Sequence, residues 1–275
     1  MGRVFDNEGK RNTVSIAYLY FKHLIRAKTS HGIHSPFVFS LLKNCIYLKT
    51  NFKNFEDIEK QRKKLRVDKG FLEISDFGSY KKGEKGFVKR RQQIKMVARK
   101  SLKSPRQAAI LYRLASYFEC DNILELGACF GLTTAYLSRA HPQSIINTIE
   151  GCCRVAEIAN NVFETLKLKN VKLYVGEVDE LLIPVLQDMK SPPGLVFMDA
   201  NHTQQATLKY FNTLTKYLDE NSIIIIDDIH WSAGMEKAWN EICGHDAVSV
   251  TVDLFHMGLV FFRKGLSKEN FLIRF

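Results

Sequence analysis

The chain has 275 residues, 45% of them hydrophobic and 25% charged, with a formal net charge of +11. That composition supplies enough apolar surface for one α/β core with a smaller appendage and excludes a fibrous or wholly disordered protein. No run approaches the roughly 18–20 consecutive apolar residues of a membrane span, and "MGRVFDNEGKRN" lacks the apolar centre of a secretory signal, so a soluble, cytoplasmic protein is expected.

The charge is uneven. Residues 1–105 carry 25 Lys and Arg against 9 Asp and Glu, a net +16, whereas the rest carry 15 against 20, a net −5. A basic segment suits nucleic acid, anionic lipid or an acidic substrate, although a run such as "KQRKKLR" reads first as a solvated helix face. The cysteines, at 45, 120, 129, 152, 153 and 243, show neither a CxxC pair nor zinc spacing and read as free thiols.

In chain order, Val14, Ala17, Tyr18, Phe21, Leu24 and Ile25 share one face of a first helix. In "HSPFVFSLLKNCIY", Ser35 is placed to cap a second helix with Pro36 at its first position, and His31 and His34 flank that start as capping or surface residues. A third helix is predicted from Asn54 to about Leu65. Glycines 70, 78, 83 and 86 then interrupt a basic stretch ending in "KRRQQ", which reads as a loop. Ser104-Pro105 opens another capped helix, and behind it strands and helices alternate. Strands are predicted at 122–126, 144–149, 171–175, 194–199 and 222–227, with continuous Ile, Leu and Val runs that fit a parallel sheet covered on both faces. "SVTVDLF" and "GLVFFRK" stand too close together for a helix between them and predict an antiparallel hairpin. Residues 1–104 thus read as a basic, mainly helical extension and 105–275 as a doubly wound α/β domain.

In such a sheet ligands bind beyond the carboxyl ends of the strands. The first domain strand ends in "ELGACFG" ahead of a helix, where glycines let the backbone approach a ligand. The dinucleotide fingerprint GxGxxG would need glycine at Cys129, which disfavours a nicotinamide or flavin cofactor. Glu150 ends the second strand, where an acid accepts hydrogen bonds from ribose hydroxyls. Asp199 ends the fourth strand and Asp227-Asp228 the fifth. Carboxylates so near repel one another unless a cation sits among them, and all-oxygen ligation suits Mg²⁺, with Mn²⁺ or Ca²⁺ as substitutes. The plainer reading is that Asp227-Asp228 cap the next helix.

"ILELGACFG" followed by Glu150 resembles the S-adenosylmethionine site of class I methyltransferases. The resemblance implies a Rossmann-like seven-stranded sheet of order 3-2-1-4-5-7-6 with an antiparallel last strand. It also implies Gly127 and Gly131 beside the methionine part of the cofactor, Thr133 on its carboxylate, Glu125 on its amino group, Glu150 on the ribose, Glu177 and Val178 beside the adenine, and Asp199 near the sulfonium. Asp199, His202 and Asp227-Asp228 resemble the metal-dependent O-methyltransferases of the catechol and caffeoyl-CoA type, and still more those that act on macrolide sugars. That likeness implies Asp199, Asp227 and Asp228 as metal ligands, His202 as general base and a small hydroxylated acceptor. Trp231 matches an aromatic that follows the acidic pair in the caffeoyl-CoA enzymes. "HGIHSPFVF" is similar to a group of bacterial, chiefly Bacteroidetes, methyltransferases. Two other readings stand beside this one: an RNA methyltransferase that uses the basic segment, and a cofactor-binding scaffold without catalysis. The N-terminal helices are placed to cover the pocket or to form a homodimer.

Overall fold

The computed structural model describes residues 13–76 and 88–275. Its main sheet follows from the predicted strands: β3 (Asn122–Leu126), β4 (Ile145–Glu150), β5 (Val171–Val175), β6 (Leu195–Met198) and β7 (Ile223–Asp227) are parallel. β8 (Val250–Asp253) and β9 (Met257–Phe261) form the expected antiparallel hairpin, with β9 antiparallel to β7. The order is β10-β8-β9-β7-β6-β3-β4-β5. Its seven expected strands stand in the methyltransferase order, and β10 (Glu269–Leu272) is an eighth, parallel to β8, that the sequence reading did not include. The helices α6 (Leu132–Leu137), α7 (Cys153–Thr165), α8 (Val178–Asp188), α9 (Gln204–Leu214) and α10 (Ala233–Gly244) cover the faces. The apolar runs of β6 and β7 are buried at every position, as a sheet covered on both sides requires.

Before the sheet, α1 (Thr13–Arg26), α2 (Pro36–Leu41), α3 (Glu56–Val67), α4 (Ile94–Ser101) and α5 (Pro105–Tyr117) follow one another, with a π turn at Leu42–Ile46. Both predicted caps are made. Ser35 accepts from the Val38 N–H, and Ser104 and Gln107 form a reciprocal capping box with Pro105 at the first helical position. The basic stretch differs from the loop reading. β1 (Phe71–Asp76) and β2 (Val88–Gln93) pair antiparallel, and α4 follows at once. "VKRRQQ" has weak strand propensity of its own, so its pairing with β1 sets its conformation. Residues 77–87, which include glycines 78, 83 and 86, lie outside the described residues.

α1 forms as expected, with Val14, Tyr18, Phe21 and Ile25 on one face; that face is exposed, whereas His23 and Ala27 are buried. A helical stripe of apolar residues marks a common face but does not say what covers it. Polar and aromatic contacts hold α1: His23 Nε2 lies 3.0 Å from the Ile273 carbonyl, the Tyr20 ring meets the Phe255 ring at 4.9 Å, and Lys28, just past the helix, bridges to Ile273 in β-fashion.

The N-terminal segment shares the sheet's core. Ile33, Val38, Leu41, Leu42, Cys45 and Ile46 cluster with Ile110, Leu111 and Leu114 of α5 and with Ile123 and Leu195 of the sheet. Buried Arg113 pins this arrangement, donating from Nε to the Cys45 carbonyl at 2.5 Å, from Nη2 to the Ile46 carbonyl at 3.3 Å and from Nη1 to the Thr50 hydroxyl. Replacing it with an apolar chain of similar reach strands these buried acceptors. Arg113→Met is expected to lower unfolding stability by about 2–3 kcal/mol, measured by urea denaturation; a change within experimental error would remove Arg113 as the pin.

Candidate functional site

The carboxyl ends of β3, β4, β6 and β7 converge on one edge of the sheet. The loop after β3 turns back at once: Gly127 has φ +98°, and a Cβ there would stand 2.4 Å from the Asp199 carbonyl oxygen. Only glycine lets the two loops come this close. Cys129, the position where a dinucleotide fingerprint would carry its second glycine, takes the left-handed conformation with φ 49°. Its N–H donates to Glu150 Oε2 at 2.8 Å, and the Cys152 N–H donates to Glu150 Oε1 at 2.9 Å. Gly131, with φ +74°, makes room for the Phe163 ring, which a Cβ would meet at 2.4 Å. Asn201 and Asp228 are left-handed as well, so the turns after β3, β6 and β7 all contain a non-glycine residue in a sparsely populated region. Such backbone clusters where a fold builds a site.

Glu125 lies wholly inside, its Oε2 accepting from Thr134 at 2.5 Å and Thr148 at 2.7 Å, while buried Oε1 has no partner among the described residues. It braces β3 against α6 and β4 from behind the loop. Thr133, at the start of α6, is itself buried. Burial pushes Glu125 and Glu150 each up to about 7, against the opposing hydrogen bonds they accept. Glu177 is the N-cap residue of α8, with Val178 the first helical position behind it.

In the loop after β6, His202 Nε2 stands 3.3 Å from Asp199 Oδ1. Asp199, His202 and Asp227 each offer one ligand atom, and these lie within 4.8 Å of one another. Asp228 is not in that group. Its left-handed turn gives its N–H to the His256 carbonyl.

The decisive feature is one that the sequence did not single out. Lys103 Nζ hydrogen-bonds Asp227 Oδ2 and stands 3.2 Å from Asp199 Oδ1. Burial works against its charge, but Asp199, Asp227 and Asp228 more than offset this and hold the ammonium protonated. Burial would likewise raise Asp199, yet Lys103 and then His202 outweigh it and keep it below the usual carboxylate range. Asp227 is pushed well above that range by burial and by the Asp199 charge, so Asp199 holds its charge more firmly. A resident Mg²⁺ would need carboxylate oxygens at about 2.0–2.1 Å, where the Lys103 ammonium now stands between them. As arranged, these residues do not fit a resident metal ion.

The comparisons bear on the fold. Residues 124–229 match the family described as a methyltransferase domain. Similar curated proteins include catechol O-methyltransferase of Niastella koreensis, 26% identical over 46% of this chain, and an uncharacterized protein of Acanthamoeba polyphaga mimivirus, 26% identical over 48%. This chain spans 57% and 65% of their respective lengths. Among solved structures, the O-methyltransferase TomG of Streptomyces achromogenes, in complex with SAM, is 24% identical with a TM-score of 0.50, covering 59% of this chain and 82% of that one. An O-methyltransferase of Bacillus cereus, in complex with SAH, is 18% identical with a TM-score of 0.55, covering 82% of this chain and 96% of that one. The α/β unit has the fold of these O-methyltransferase structures, and residues 124–229 within it match the methyltransferase-domain family.

The buried carboxyl of Glu125 yields a test. Its raised pKa means that the folded state is favoured by the protonated form: this contribution is full below about 4.5 and is lost as pH rises through about 7. Glu125→Gln keeps an acceptor and removes the charge. The variant is expected to exceed wild type by roughly 2–3 kcal/mol at pH 8 and to match it near pH 5, read from urea unfolding at both values. An equal gap at both would show that no such charge is buried.

Proposed function

We propose that the protein is an S-adenosylmethionine-dependent O-methyltransferase acting on a small hydroxylated acceptor, with His202 as general base. The observation that carries this reading is the direct packing of the Gly127 turn on Asp199, whose carboxylate in turn meets His202. Cofactor side and acceptor side therefore share one wall.

The residues suit the cofactor. The Gly127 turn leaves no side chain between the loop and its neighbour, and the unused lone pairs of Glu150 suit the ribose hydroxyls. Gly127, Gly131, Thr133, Glu150, Glu177 and Val178 are the assigned surroundings, with Glu125 as the brace behind them. When bound, S-adenosylmethionine supplies an electrophilic methyl group: the acceptor oxygen forms a bond to that carbon as the carbon–sulfur bond breaks, its electron pair remaining on sulfur. In this reading Asp199 Oδ1, 3.3 Å from His202 Nε2, favours the proton on that nitrogen and leaves Nδ1 to take the acceptor's proton. Holding acceptor and methyl group in line is what the shared wall provides. A divalent ion on Asp199, Asp227 and Asp228 is what the family resemblance implies; the Lys103 ammonium weighs against it.

Adenosylhomocysteine at 100 times its dissociation constant is expected to stabilise the fold by about 2.7 kcal/mol, seen as a rise in melting temperature. Absence of any shift with either nucleoside would remove the cofactor assignment. His202→Ala is expected to lower kcat at least about 100-fold on a panel of phenolic, sugar and hydroxy-acid acceptors while the nucleoside shift persists. Full turnover by that variant would remove the base.

A further inference from the structure

The position of Lys103 is set by its backbone rather than by the reach of its side chain. It immediately precedes the Ser104–Gln107 capping box, which fixes the chain at the start of α5. Its carbonyl accepts from Arg62 Nη1 at 2.6 Å. Arg62, on α3 and 4% exposed, is held in turn by both carboxylate oxygens of Glu59 at 2.9 and 3.1 Å. Glu59 also accepts from the Tyr136 hydroxyl of α6 at 2.9 Å. Three helices thus determine where Lys103 starts. Its ammonium ends between carboxylates from the two central strands β6 and β7, with its side chain 12% exposed.

We propose that the Lys103 ammonium is the resident cation of the acceptor site, taking the place of a divalent metal, and that its remaining N–H donates to the acceptor oxygen. This rests on the methyltransferase reading above. An ammonium has three donors: two face Asp227 Oδ2 and Asp199 Oδ1, and a third is left for an oxygen entering beside His202. As the acceptor ionises, its developing negative charge is met by Lys103, and its proton goes to His202. Lys103 is a donor throughout and carries no proton away.

The substitution changes which acceptors fit. A divalent ion with open coordination positions can chelate two neighbouring hydroxyls, whereas one N–H can hold one oxygen. The site is therefore built for a single hydroxyl and gains nothing from a vicinal diol. Turnover without a divalent ion is the second consequence.

The test uses the full chain and reads metal binding apart from activity. Mn²⁺ titrated into wild type and followed by electron paramagnetic resonance is expected to stay free, whereas Lys103→Ala, with its carboxylates uncovered, takes up one Mn²⁺ per chain. One equivalent bound by wild type, or none by Lys103→Ala, overturns the proposal. In the presence of chelator, wild type is expected to keep its turnover, Lys103→Arg at least a tenth of it, and Lys103→Met to lose 100-fold or more in kcat with little change in the acceptor's KM. Lys103→Met with wild-type kcat overturns the proposal as well. The adenosylhomocysteine shift, measured on the same samples, separates the two readings. Its loss in wild type sinks the methyltransferase assignment, while the Mn²⁺ result on wild type bears on Lys103 alone and stands even where a variant fails to fold.

Discussion

A carboxylate with no exposed surface at the end of a central strand needs a counter-charge in place before the site around it can close. For Asp227 that charge is Lys103. Removing one partner of a buried pair leaves the other uncompensated, which is far costlier than the pair is favourable. The site is therefore assembled from two parts of the chain that depend on each other. The sheet supplies Asp199 and Asp227, and the segment before α5 supplies the cation that lets them stand near each other.

This dependence gives the N-terminal residues a role their composition does not suggest. A net charge of +16 over residues 1–105 invites a polyanion as partner. Within it, Lys103 is turned inward onto the carboxyl edge of the sheet and Arg62 is buried against a backbone carbonyl, while Arg113, just beyond that segment, is buried against carbonyls inside it. These three act as struts. Their charges are spent on the protein's own acceptors, and the apolar residues around them join the core of the sheet.

The sheet was legible because its central strands β6 and β7 are continuous apolar runs closed by aspartate, and each such run has few other folds open to it. β10 was not: "ENFL" is short and half polar, and it is a strand because β8 offers an edge. The caps at Ser35 and Ser104 were legible since capping is local chemistry. On the site, Asp199, His202 and Asp227 meet as their strand positions require, and Asp228 parts from them through a turn that no spacing rule contains. Lys103 was hidden among 25 basic residues of its segment. Its neighbourhood is created by contacts with Arg62 and Asp227, 41 and 124 residues away, and no local pattern records such distances. The stripe on α1 was legible as a face, since periodicity identifies a face and the rest of the fold decides which way it points.

The seam between α1 and the last strand sets an order on assembly. His23 reaches the carbonyl of Ile273, 250 residues later, and Arg274 returns a hydrogen bond to the Leu24 carbonyl. At about 5–20 residues per second, a ribosome needs roughly 12–50 s to make the intervening chain. Until then this seam cannot close, although the turn, the capped helix and the acidic strand ends behind it can already have formed. The seam is thus a late event in the life of each molecule, closed only once residues 273 and 274 have been made.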